Sequence, residues 1–264
     1  MTRMITVRDI SRKIFGKFEI TNSSNEVFDR WYEDTADSGE NPMNQIALAT
    51  NSGRVVGWLG LDMLVTNKCI GECIDLVTPE MIMAAGTPLL EAAKAFATTD
   101  QHLFFTLEDN SLSGWLCYDD LFKLPFRLCL FSLLLGVEQL ATDICKLQPG
   151  KSLNALSSGR LEKAKKTYSD RGFRRDQNGN ESELELLDCT MFSDKIRILR
   201  KLFTREVPAA SDSLFDFAEC IRNDLAHPRD EDVIAVKLKR DKLLPFIEWS
   251  ENVQKQMEQV LIGQ

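Results

Sequence analysis

The chain has 264 residues and a mass of 30.0 kDa, with 44% hydrophobic and 27% charged side chains. That apolar content offsets the entropy of ordering and excludes a mostly disordered chain. The formal net charge of −8 excludes polyanion binding by overall charge, so any such contact needs a local basic feature.

The opening MTRMITVRDI has no apolar h-region, so no signal peptide is expected and the cytoplasm is the expected compartment. The apolar run Leu128–Val137 is half of the roughly 20 residues that a bilayer requires, so no membrane span is expected. The seven cysteines are irregularly spaced and form no CxxC pair. They read as reduced thiols, and no metal site is expected.

Up to about residue 122, short β-type runs alternate with short helical ones. Val55–Leu59 and Leu103–Leu107 read as strands, and Asn51-Ser52-Gly53 and Asp109-Asn110-Ser111 as hairpin turns. Thr87-Pro88 before LLEAAKAFA reads as a helix start, with Thr87 at the N-cap. Beyond Leu124, apolar residues recur three and four apart in five long segments, the pattern of amphipathic helices. The fold class is therefore α+β, with residues 1–122 as one domain and an all-α bundle over 123–264.

The first domain repeats itself. Gly57-Trp58-Leu59-Gly60-Leu61-Asp62-Met63-Leu64 and Gly114-Trp115-Leu116-Cys117-Tyr118-Asp119-Asp120-Leu121 both read G-W-L-x-x-D-x-L. Two copies imply a duplicated supersecondary unit around a pseudo-two-fold axis, with a cleft between them. Trp58 and Trp115 hold equivalent places and are expected in the core.

MITVRDIS, DLVTPEMIMAAGTPLLEAAKAF and FFTLEDNSLSGWLCYDDL together resemble a tandem CBS pair, closely over 75–121 and more weakly over 4–64. The resemblance implies two β-α-β-β-α units. It also implies an adenosine-type ligand (AMP, ADP, ATP or S-adenosylmethionine) in the cleft. The family's ligand motif maps onto Gly114, Cys117 and Asp120, with the aspartate on the ribose hydroxyls. Cysteine replaces the family's hydroxyl residue, and a thiol is a weak hydrogen-bonding partner. The first copy has Gly57, Gly60 and Met63 at these places, so one site at most is expected. An empty cleft serving as a dimerisation platform is the alternative.

In the second domain, Arg222, Asn223 and His227 stand together in IRNDLAHP, at the end of a helix expected from about Ser213. Pro228 disfavours the α conformation at His227 and stops that helix. The segment resembles the HEPN family, an all-α bundle whose active members carry R-polar-x3–5-H on a late helix. The resemblance implies a metal-independent endoribonuclease acting as a homodimer on RNA, in a stress or anti-phage role. His227 would be the acid/base. Arg222 would hold the phosphorane, and Asn223 would orient the imidazole or contact the phosphate. Residues 151–205 carry 13 basic and 8 acidic side chains, a footprint suited to a phosphate backbone or simply a solvated helix face. Glu138, in an otherwise apolar helix, either pairs with Arg222 and orients it or lies half-exposed at a helix edge. The expectation is a ligand-regulated ribonuclease needing no cofactor. The alternative is a non-catalytic, adenosine-nucleotide-responsive regulatory or dimerisation module.

Overall fold

The computed structural model describes residues 4–36, 41–177, 179–211, 213–226 and 231–263. The chain divides into two units, Met1–Lys123 and Leu124–Gln264.

The first unit holds β1 (Arg12–Lys13), β2 (Lys17–Glu19), α1 (Ser24–Ala36), β3 (Ile46–Asn51) and β4 (Arg54–Gly60). They are followed by β5 (Asp75–Leu76), β6 (Ile82–Ala84), α2 (Leu89–Thr98), β7 (Leu103–Glu108) and β8 (Ser111–Cys117). These strands form two four-stranded sheets, in the orders β2-β3-β4-β5 and β1-β8-β7-β6. In each sheet the strand before the helix runs parallel to the strand after it, and a hairpin follows. Both hairpins close through two residues of positive φ, Ser52-Gly53 and Asp109-Asn110, as the right-handed strand twist demands. Each hairpin also carries a register shift at the same place, between Ala49 and Thr50 and between Thr106 and Leu107.

The outermost strands are exchanged between the copies. β1, which leads the first copy, pairs with β8 of the second, and β5, which leads the second, pairs with β4 of the first. The segments before them cross over as well. Val7 N–H donates to Thr87 O at 2.8 Å, and Ile70 N–H donates to Asn22 O at 2.9 Å. The exchange leaves Phe18, Trp31, Leu59 and Ile70 in one apolar cluster, and Leu48, Phe105 and Trp115 in another that draws on both sheets. Each such side chain contributes about 1.5–3 kcal/mol when fully buried.

Two expectations change. Pro88, not Thr87, is the N-cap of α2, so the helix starts one residue late. The last helix of each β-α-β-β-α unit is replaced by a 3-10 turn, Leu61–Met63 in the first copy and Tyr118–Phe122 in the second. After the first turn, Asn67 takes a positive φ and redirects the chain.

Among its described residues the second unit has helices and no strand: α3 (Leu124–Cys145), α4 (Pro149–Asn154), α5 (Ser158–Asp170), α6 (Glu183–Asp188), α7 (Phe192–Leu202), a 3-10 turn (Pro208–Ser211), α8 (Leu214–Ala226), α9 (Glu231–Lys237) and α10 (Arg240–Ile262). The five expected helices become eight. The apolar spacing of residues 183–203 predicts one helix, but the structure breaks it after α6. Thr190 Oγ1 donates to Leu187 O, and the Asp194 carboxylate accepts from Met191 N–H at 3.2 Å, starting α7 afresh. α3 packs against α7, α8 and α10 and buries Phe126, Leu130, Leu134 and Val137. Among the described residues it is also the one helix long and apolar enough to cross a bilayer by length and composition.

Candidate functional site

In the first unit, β8 and the 3-10 turn after it bring Gly114, Cys117 and Asp120 together. Gly114 is required by backbone approach, because a Cβ there would lie 2.6 Å from the Arg12 carbonyl oxygen of β1. Gly57 occupies the same place in the other copy, 2.6 Å from the carbonyl oxygen of Asp75.

Asp120 has a fully buried side chain whose two oxygens are both engaged. Oδ1 accepts from Arg12 Nε at 2.8 Å and lies 2.7 Å from Lys123 Nζ. Oδ2 accepts the Cys117 N–H at 2.9 Å and faces Cys117 Sγ at 3.3 Å. Burial pushes the carboxyl upward, but Lys123, the Cys117 amide and Arg12 together hold it below the usual aspartate value. Burial and the Asp120 charge push the Cys117 thiol up. Burial works against the Arg12 charge, but Asp120 outweighs it and the guanidinium is held above its ordinary value. The guanidinium also lies over the Trp115 ring, 4.8 Å from its centroid. In the first copy, Met63 stands in for Asp120, and its sulfur accepts Gly60 N–H at 3.1 Å.

Two clefts occupy repeat-related places in this unit. One, of about 660 Å³, is lined by Arg12, Lys13, Phe15, Asn44 and Gln45 among others. The other, of about 430 Å³, is lined by Trp58, Asp75, Leu76, Gln101 and His102 among others. The repeat relates them: Arg12-Lys13 corresponds to Asp75-Leu76, and Asn44-Gln45 to Gln101-His102. The first cleft thus sets Arg12 and Lys13 against one carboxylate, Asp34, where the second has Asp75 and no lysine or arginine among its described lining residues. Arg12, Lys13 and Lys123 escaped sequence reasoning, since only the strand exchange carries β1 to Asp120.

In the second unit, Glu138 on α3 lies between two cations. Its Oε2 accepts from Arg222 Nη2 of α8 at 3.1 Å, and its Oε1 accepts from Lys195 Nζ of α7 at 3.2 Å. Arg222 Nη1 reaches Asn223 Oδ1 at 3.4 Å, while Nε is buried without a hydrogen-bond partner. Asn223 is exposed. Glu138, Lys195 and Arg222 border an open cleft of about 700 Å³ shared with Gln139, Arg171 and Asp188; Asn223 does not line it. His227 lies outside the described residues. Much of the basic stretch is spoken for: Arg160 pairs with Asp194, Arg175 with Glu181 and Arg200 with Asp216. Among the described residues, no group of three or more His, Cys, Asp or Glu side chains could hold a metal.

No family model matches the chain, and no curated protein matches it. Solved structures similar to it include the CBS domains of a transcriptional regulator from Streptococcus pneumoniae. There the identity is 14% and the TM-score 0.33, over 45% of this chain and 97% of that one. A CBS domain-containing protein from Thermotoga maritima is 16% identical, with a TM-score of 0.32 over 46% of this chain and 93% of that one. The cytosolic domain of the Mg2+ channel MgtE, solved in complex with ATP, is 20% identical, with a TM-score of 0.32. That match covers 40% of this chain and 43% of the channel chain, so the chain spans less than half of that relative's length.

Proposed function

We propose that the chain is a nucleotide-responsive regulatory module of the CBS-pair kind, cytoplasmic and homodimeric, binding one adenosine-type ligand (AMP, ADP, ATP or S-adenosylmethionine) per chain. The observation that carries this reading is the asymmetry of the two repeat-related clefts. Only one presents Arg12 and Lys13, with Arg12 held by Asp120 and stacked on Trp115. A phosphate entering it would meet a guanidinium already fixed in place, which suits paired hydrogen bonds. Gln45 and Asn44 supply polar partners for a base or ribose. Asp120 acts here by holding Arg12, and a ribose hydroxyl would have to share its oxygens with Arg12, Lys123 and Cys117. Titration calorimetry with the four ligands tests the reading. One site per chain, lost in Arg12→Ala, is expected. Two equivalent sites, or binding unchanged in that variant, would overturn it.

A second reading is favoured by one specific observation, the Glu138–Arg222 pair beside an open cleft. There the bundle is a HEPN-like, metal-independent endoribonuclease. Glu138 and Lys195 fix Arg222 for a scissile phosphate, and His227 moves the proton of the ribose 2′-hydroxyl. Incubation with mixed RNA in EDTA, beside His227→Ala, tests it. A positioned acid–base group contributes about 10²–10⁴-fold, so equal cleavage by both proteins, or none by either, sinks this reading.

A further inference from the structure

Helix α7 presents a cationic ridge that neither reading uses. Ser193, Arg197 and Lys201 recur four apart and so share one face of the helix. Two turns separate the ends of this row, about 12 Å. Arg197 and Lys201 are exposed and Ser193 is half-buried. Lys195 leaves the helix on the opposite side, where it is buried against Glu138, so the ridge is distinct from the cluster around Arg222.

Neighbouring elements fix the two ends of the ridge. Arg160 of α5 reaches Ser193 Oγ at 3.4 Å and pairs with Asp194 at 3.2 Å. Asp194 is buried while Arg160 stays partly exposed, so the cation is the outward member of that pair. Lys201 Nζ donates to the carbonyl oxygen of Ala155, between α4 and α5. Arg197 stands between these two, with no ion pair or side-chain hydrogen bond among the described residues. The carboxylates nearby are turned to other cations: Asp194 to Arg160, Glu162 to Lys165 and Asp216 to Arg200. A cation in the last turn of α7 answers the helix dipole. That accounts for Lys201, but not for Arg197 in mid-helix or Arg160 on another helix.

We propose that this ridge binds the phosphate backbone of a single nucleic-acid strand, with Arg160, Arg197 and Lys201 each on a phosphate. The chain as a whole has a net charge of −8, so a polyanion is attracted only where cations gather without counter-charge. α5 and α8 flank α7 and keep it from entering a duplex groove. None of the ridge residues is aromatic, so the strand is held by charge, without base stacking and without sequence. The ridge does not depend on the ribonuclease reading, because DNA phosphates suit it equally.

Fluorescence anisotropy of the full chain with a fluorescein-labelled oligothymidylate tests this. The probe lacks the 2′-hydroxyl, so cleavage does not enter the measurement. An oligouridylate of the same length should bind with similar affinity. Three phosphate contacts predict that log K falls with log salt at a slope of about −2. Arg197→Gln breaks no contact among the described residues. It should reduce that slope by about 0.7 and weaken binding about eightfold at about 50 mM salt. Lys255→Gln removes the same charge from an exposed position on α10 and should leave both quantities unchanged. No anisotropy change with either oligonucleotide would overturn the proposal, as would undiminished binding in Arg197→Gln or equal losses in the two variants. Phosphatidylglycerol vesicles bound through Arg197 in place of either oligonucleotide would overturn it too. Ligand titration and RNA cleavage test the two readings above separately.

Discussion

Arg12 and Asp120 lie 108 residues apart in the chain and form a 2.8 Å ion pair that fastens the leading strand of the first copy to the closing turn of the second. The Asp120 side chain is wholly buried, so its charge depends on Arg12 and Lys123 for compensation.

Asp120→Asn should therefore destabilise the protein strongly. Removing one partner of a buried pair costs about 3–5 kcal/mol, and the surviving amide contacts bring the expected loss to about 3 kcal/mol. The folded carboxyl is held below its unfolded value. Its contribution is thus fully present above the unfolded value, about pH 3.9, and is lost as pH falls through the lower folded value. Urea unfolding of both proteins from pH 7 down to pH 3 checks this. A constant difference between them down to the lowest pH would count against the assignment.

Gly57→Ala and Gly114→Ala should behave alike. Each places a Cβ 2.6 Å from a backbone carbonyl of the exchanged strand, so the strand must move. Overpacking of this kind costs about 1–3 kcal/mol. Thermal melts should show both variants destabilised by similar amounts. A neutral effect at either position would mean that the exchanged strand is not seated as described.

What the sequence discloses follows the range of the interactions. The duplication is legible because G-W-L-x-x-D-x-L preserves a local backbone need, the glycine under a crossing strand and the turn that follows. The hairpins are legible because Asn, Asp and Gly accept positive φ. The place of Asp120 is not, because its cation arrives from the other end of the domain through an exchange that no local pattern encodes. Glu138 is an intermediate case. A carboxylate on an apolar helix advertises its need for a partner, and Arg222 is that partner, but Lys195 shares the site and was hidden within a run of other cations.

Glu138→Gln should leave Lys195 and Arg222 facing each other with their shared counter-charge removed. Lys195 is 6% exposed and Glu138 16%, so solvent compensates little, and a loss of about 3 kcal/mol is expected. Glu138→Gln combined with Lys195→Met should recover part of it. Urea denaturation of the single and double variants gives the coupling, and strictly additive losses would contradict a shared site.

Cys145 lies buried on α3 with its thiol pushed up to about 12 by burial, Lys195 opposing in part. The folded value stands above the unfolded one, about 8.5, so the unfolded chain releases this proton first. The resulting stabilisation is fully present below about pH 8.5 and declines as pH rises toward the folded value, by about 1.4 kcal/mol per pH unit in the steep part. Other groups titrate in the same range, so the comparison needed is with Cys145→Ala, in which they are unchanged. The stability difference between the two proteins should hold steady from pH 7 to pH 8 and then shrink by about 1 kcal/mol by pH 9.5. Urea unfolding across that range measures it. A difference independent of pH would show that the thiol ionises as easily in the folded bundle as in the open chain, and that α3 is not sealed from solvent at Cys145.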